Sequence, residues 1–278
     1  MSTPGTLETN RSSARRTALV TGASAGIGAA FAEEFASHDY DLVLAARRED
    51  RLRDLAARLE RSHGIRARVM RCDLSRPDAV ARLSDALVVE GVAVDALVNN
   101  AGYGVPGRYL RNSWQTHEAF LRVMTTAVAE LTYRLLPGMV ERRFGRIINV
   151  ASLAGLVPPS AGHTLYGASK SFLIRFSQAL ALEVAENGVH VSALCPGFTY
   201  SEFHDVNGMR AKVSRMPSFL WMDASRVARE GYEAVEAGTS VYIPGRVNRA
   251  IATLSSLMPG PLVRAVNSYA GRAYRDST

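Results

Sequence analysis

Tyr166 and Lys170 stand four residues apart in Tyr166-Gly-Ala-Ser-Lys170, a spacing that on a helix projects both side chains from successive turns of one face. Such a pair can form an acid. A free phenol has a pKa of about 10, so Tyr166 surrenders its proton near neutral pH only where a neighbouring ammonium favours the phenolate. Lys170 is placed to supply that charge. The plain alternative is a half-buried tyrosine beside a solvated lysine, because the spacing recurs by chance in helices. Ser152, at a turn after Ala151, adds a hydroxyl able to bond a carbonyl oxygen and share it with Tyr166, though serine is also an ordinary turn residue.

These side chains need elements to hold them. Phe172, Leu173, Phe176, Leu180 and Val184 recur at three- and four-residue steps until Asn187-Gly188, which puts Tyr166 and Lys170 in the first turns of a helix. Residues 145–150 read as the strand leading to Ser152, and 189–194 as a following strand ending in Cys195-Pro196-Gly197. Upstream, strand and helix alternate. The apolar run 17–21 ends in Gly22-Ala-Ser24-Ala-Gly26-Ile27-Gly28, after which Ala29, Ala30, Phe31, Phe35 and Ala36 continue with helical spacing. Glycines let the backbone turn tightly and approach a pyrophosphate, whose charge is drawn to the exposed N–H groups at the positive end of a helix. Further strands are expected at 40–45, 68–72 and 96–98, the last running into Asn99-Asn100-Ala101-Gly102. Four strands separated by helices imply right-handed crossovers and a parallel sheet with ligands at the carboxyl ends. Helices are predicted over 76–89, over 116–136 with Pro137-Gly138 closing it, and over 224–237, and a last strand over 240–243.

The tip of the second strand selects the dinucleotide. An acidic residue there would bond the adenine ribose of NAD, whereas Ala46 leaves room and Arg47 offers a guanidinium to a 2′-phosphate, which favours NADP (NADPH). The bland reading has Arg47 and Arg48 capping a solvated loop. Asp73-Leu74, ending the third strand, is placed to meet the adenine ring.

Composition sets outer bounds. The chain has 278 residues, 47% hydrophobic and 21% charged, as in an ordinary globular protein able to bury a sizeable core. A formal net charge of +7 favours anionic ligands or surfaces. The arginines are scattered and carry no zinc-finger or basic-zipper pattern, so nucleic acid is not expected. Two cysteines, Cys72 and Cys195, suggest neither a disulfide framework nor a metal site and fit a reducing cytoplasm. Residues 1–14 read as a disordered tail without the apolar core of a signal peptide, and no run is long enough to span a bilayer.

Taken in order, Thr21-Gly22-x-x-x-Gly26-x-Gly28, Asn99-Asn100-Ala101-Gly102, Ser152, Tyr166-x-x-x-Lys170 and Pro196-Gly197 resemble the short-chain dehydrogenases/reductases. The Arg47 branch and the stretch from Leu136 to Ser152 look most like ketoacyl reductases and lipid-directed members. The resemblance implies a doubly wound Rossmann-type α/β fold of about seven parallel strands with helices on both faces. It further implies one catalytic domain over 15–278 and a homo-oligomer, dimer or tetramer. The catalytic set expected is Ser152, Tyr166 and Lys170. The cofactor-binding set is Gly22, Ser24, Gly26, Ile27, Gly28, Arg47, Asp73, Asn100, Ala101, Gly102, Tyr166, Lys170, Pro196, Gly197 and Thr199, with Lys170 also on the nicotinamide ribose. The expected reaction interconverts a carbonyl and a secondary alcohol, with an apolar ketone as substrate.

One position departs from the family pattern. Members usually carry an Asn thirteen residues before the Pro of the Leu-Pro pair, where it helps hold a water that passes protons toward the Lys; here that position is Met124. A thioether cannot replace the amide's donors, which leaves Thr125 or Thr126 to supply a hydroxyl, a weakened relay, or a one-residue helix shift. Two rivals to the enzyme reading follow: an NADP-binding regulator without turnover, and an NAD-linked alcohol dehydrogenase. Met209, Met216, Phe219, Leu220, Trp221 and Met222 suit an apolar substrate lid over 203–222. The amphipathic segment 249–274 fits a membrane surface, a partner subunit, or the protein's own cleft.

Overall fold

A computed structural model describes residues 15–105, 107–159, 162, 164–200 and 217–258. Its first half alternates strand and helix: β1 (Thr17–Thr21), α1 (Gly26–Ser37), β2 (Asp41–Ala46), α2 (Glu49–His63), β3 (Ala67–Arg71), α3 (Ala79–Val89) and β4 (Ala96–Asn99). There follow α4 (Trp114–Leu121), a π-helical widening (Arg122–Thr126), α5 (Ala127–Glu141), β5 (Gly145–Val150), α6 (Thr164–Glu183) and β6 (Val189–Leu194). The described chain closes with β7 (Phe198–Tyr200), β8 (Trp221–Asp223), α7 (Ala224–Glu236), β9 (Val241–Tyr242) and α8 (Arg246–Ser256).

Seven parallel strands in the order β3-β2-β1-β4-β5-β6-β9 form the main sheet. Strands buried on both faces read as continuous apolar runs, and alternate residues serve opposite cores. Ala18 and Val20 of β1 pack with Phe31, Phe35, Leu52, Leu59 and Val227, from α1, α2 and α7. Leu19 points the other way, to Leu83, Leu87, Leu131, Met139 and Leu180 on α3, α5 and α6. This is the expected doubly wound architecture. The chain order reverses between β1 and β4, and the crevice at their carboxyl ends is where such a sheet receives ligands.

Pro137-Gly138 was predicted to end a helix and does not: α5 runs on to Glu141 with Pro137 inside it. Pro137 and Tyr133, whose carbonyl loses its usual partner, both face solvent, so water can serve that group. Met139, fully buried against Gly145, holds the last turn on β5. The helix predicted from 76 begins at Ala79, because the Arg76 N–H closes a turn on Asp73 O at 3.0 Å. Of the expected lid, 203–216 lie outside the described residues; the remainder forms a short turn, Ser218–Leu220, and β8, which pairs in parallel with β7. Residues 1–14 and 259–274 also lie outside them.

Candidate active site

A hydrogen-bonded knot at the β1–β4 switch fixes the glycine turn. Thr21 Oγ1 donates to Val98 O at 3.1 Å and accepts from the N–H groups of Asn100 and Ala101, at 3.0 and 3.1 Å. Asn100 Nδ2 donates to Thr21 O at 2.9 Å and Gly22 O at 3.3 Å. Gly22 and Gly26 have φ of +67° and +55°, the left-handed region that favours glycine. A Cβ at Gly28 would lie 2.3 Å from Gly22 O, so the turn folds back onto its helix only because that side chain is missing. Gly28 therefore lies under the cradle, while Gly22, Ser24, Gly26 and Ile27 line the cleft above. No side chain caps α1 and its first turn holds no acidic residue. Its positive end is left to an anionic group, which fits the phosphates of a dinucleotide.

Arg47, Arg48 and Asp73 border the same cleft. Arg48 donates from Nε and Nη2 to Ser24 Oγ at 3.2 and 3.0 Å, tying the tip of β2 to the glycine turn. Asp73 accepts from Ser75 N–H and Oγ at 3.1 and 2.8 Å. Partial burial raises its pKa, but those bonds and the nearby Arg47 and Arg76 charges outweigh it and hold the carboxyl below its usual range.

At the reacting end, Ser152 Oγ accepts from Ala154 N–H at 3.2 Å and hydrogen-bonds the Tyr166 phenol. A Cβ at Gly155 would sit 2.8 Å from the Lys170 carbonyl carbon, and Ser171 Oγ donates to Gly155 O at 2.8 Å. This close approach seats the Ser152 turn on α6 beside Tyr166. Lys170 is 5% exposed, and its Nζ donates to Val150 O at 2.7 Å and lies 5.7 Å from the Tyr166 ring centre.

The expected lowering of the phenol's pKa by Lys170 is not what this site shows. Burial pushes Tyr166 up, and the Ser152 hydrogen bond offsets only part of it. Burial also lowers Lys170, to about 8, with the adjacent Cys195 acting the other way. The ammonium is committed to a backbone carbonyl behind the ring, so its charge acts on the phenol from a distance.

Pro196 and Gly197 line the cleft, and Leu153 N–H donates to Pro196 O at 2.9 Å, linking that turn to Ser152. Asn100, Ala101 and Gly102 line it too, whereas Thr199 does not: it is buried, with its hydroxyl on Gly197 O at 3.2 Å. The far wall is apolar, with Leu153, Val157, Pro158, Phe198, Leu220 and Ile251. Asn248 and Ile251 of α8 were not anticipated individually. The amphipathic pattern there left its apolar neighbour open; of the described part of that segment Ile251 lines the cleft, while Leu254 and Leu257 face solvent.

The family model described as short chain dehydrogenase matches residues 16–210. The chain belongs to the short-chain dehydrogenase/reductase family. An uncharacterized oxidoreductase of Myxococcus xanthus (strain DK1622) is 33% identical over 251 residues, 90% of this chain and 95% of that protein. Among solved structures, a short-chain dehydrogenase from Sphingobium yanoikuyae in complex with NADPH is 32% identical, with TM-score 0.76 over 88% of this chain and 97% of its own. A family member from Burkholderia phymatum in complex with NAD is 28% identical, with TM-score 0.76 over 86% and 92%. This short-chain dehydrogenase/reductase is thus an oxidoreductase that uses a nicotinamide cofactor, and its glycine cradle fits that group.

At Met124 this family member departs from the usual Asn. Met124 lies inside the π-helical widening, 1% exposed, and a Cβ at Gly102 would be 3.0 Å from its sulfur. Neither threonine takes over: Thr125 Oγ1 donates to Leu121 O at 2.6 Å, and Thr126 faces solvent. Val123, not Met124, lines the cleft.

Proposed function

We propose that the protein is an NADP(H)-dependent oxidoreductase that interconverts a carbonyl and a secondary alcohol and reduces an apolar ketone, ketoacyl or lipid-like. The observation that carries this reading is that one cleft of about 1340 Å³ holds both the glycine cradle and the hydrogen-bonded Ser152–Tyr166 pair. A bound nicotinamide supplies the hydride. Tyr166 gives its proton to the substrate oxygen, Ser152 holds that oxygen within hydrogen-bond reach, and the Lys170 charge favours the phenolate left behind. Gly22, Ser24, Gly26, Ile27, Asn100, Ala101 and Gly102 hold the dinucleotide, and Arg47 and Arg48 give its 2′-phosphate two guanidinium groups.

The substrate class is supported by charge. Among the described lining residues the only charged ones are Arg47, Arg48, Asp73 and Lys170, all on the dinucleotide side or behind Tyr166. The opposite wall suits an uncharged apolar molecule. Exposed Tyr133 on α5 and Phe172 and Leu182 on α6 support assembly as a homo-oligomer.

Loss of NADPH absorbance with ketoacyl, steroid and retinoid carbonyls tests the reading directly. Met124 favours one rival, a binder without turnover; saturable NADPH binding with no consumption across that set would establish it. The NAD-bound relative favours the other. Arg47→Ala is expected to lower the preference for NADPH over NADH about tenfold, the scale of one charge-assisted hydrogen bond to phosphate. Unchanged discrimination in the two dissociation constants overturns Arg47 as the selector, and a wild type that binds NADH more tightly than NADPH assigns the cofactor to NAD.

A further inference from the structure

Asn248 is 4% exposed, lines the reacting end of the cleft, and lies beyond residues 16–210 matched by the family model. Its Nδ2 donates to Pro244 O at 2.8 Å and approaches Met222 Sδ at 3.4 Å. A carbonyl oxygen can only accept, so the amide nitrogen must face Pro244, and this fixes the direction of Oδ1. Oδ1 lies over Gly197, where an added Cβ would come within 2.4 Å of it. The side chain thus ties together α8, the lid strand β8 and the Pro196-Gly197 turn. Among the described residues no donor serves Oδ1. Asn248 lines the cleft, so this oxygen is an acceptor offered to a ligand or water there.

We infer that Asn248 is a ligand-positioning residue, whose Oδ1 accepts a hydrogen bond from a neutral N–H or O–H group bound beside the Pro196-Gly197 turn. This deepens the oxidoreductase reading and rests on it. Two donors have that chemistry there: the carboxamide of a nicotinamide and the hydroxyl of the alcohol substrate. Gly197 is glycine because the amide occupies the space of its side chain.

The test uses the full chain and binding as well as turnover. Fluorescence titrations with NADP⁺ and with its 3-acetylpyridine analogue, which has no carboxamide N–H, give a preference ratio. Asn248→Ala is expected to lower that ratio about fivefold, the scale of one hydrogen bond. If the donor is instead the substrate hydroxyl, the dinucleotide ratio stays unchanged and KM for the alcohol rises about fivefold while KM for the ketone does not. Both ratios compare two ligands on one folded protein, so a general loss of stability moves neither. Unchanged ratios in both arms for Asn248→Ala and for the near-isosteric Asn248→Leu overturn the inference. A wild type without saturable NADPH binding refutes the parent reading instead.

Discussion

Tyr166→Phe is expected to lower kcat for NADPH-dependent ketone reduction by about 10³-fold, within the range attributed to a positioned general acid. The dissociation constant for NADPH should stay within about twofold, because the substitution removes one hydroxyl and keeps the ring that packs at the start of α6. Ser152 loses its phenol partner but keeps the bond from Ala154 N–H, so the turn that carries it stays in place. A conserved fold with intact cofactor binding and lost turnover separates an acid from a packing residue. The check is steady-state kinetics beside a fluorescence titration on the same preparation. Retention of most of the wild-type rate would falsify the assignment, since no other phenol or imidazole among the described residues lines the reacting end; Tyr103 lies toward Arg47 and Asp73.

The residues that could be read from the sequence are those whose geometry is local. A four-residue helical interval aligns Tyr166 with Lys170 whatever surrounds them, and a glycine turn between a strand and a helix positions its own N–H groups. The alternation of apolar runs gave the sheet for the same reason: strands buried on both faces have little freedom in composition. What depended on neighbours distant in sequence was hidden. Pro137 ought to stop a helix, and only the packing of Met139 against Gly145 shows why it does not. Asn248 acts on Gly197, 51 residues earlier, and nothing in its immediate context marks it. The Lys170 charge was legible but its environment was not. Burial, opposed by the adjacent Cys195, sets its protonation, and both are tertiary facts. Arg48 was visible only as half of a basic pair, until its bond to Ser24 gave it a place.

That burial yields the second large effect. Lys170 has its pKa lowered from 10.5 to about 8 in the folded protein. The unfolded chain therefore binds more protons at this residue between pH 8 and 10.5, and stability must rise with pH through that window. Below pH 8 the lysine is protonated in both states and the full cost of burying its charge is present; above 10.5 it is neutral in both and the cost is gone. The difference corresponds to about 3 kcal/mol. Lys170→Met lacks this group, so the stability of the wild type relative to the variant is expected to climb by about 3 kcal/mol from pH 7 to pH 10.5. Urea unfolding of the two proteins across that range measures it, and other titrating groups cancel in the comparison. The charge has the opposite sign of effect on the reaction. It favours the phenolate only while protonated, so kcat/KM for reduction in the wild type should fall as pH rises through about 8. The Met variant should stay low, down about 10²-fold, without that inflection. Parallel stability curves for the two proteins would show that Lys170 is solvated as an ordinary surface lysine, and a charge held behind Tyr166 would then have no part in the chemistry.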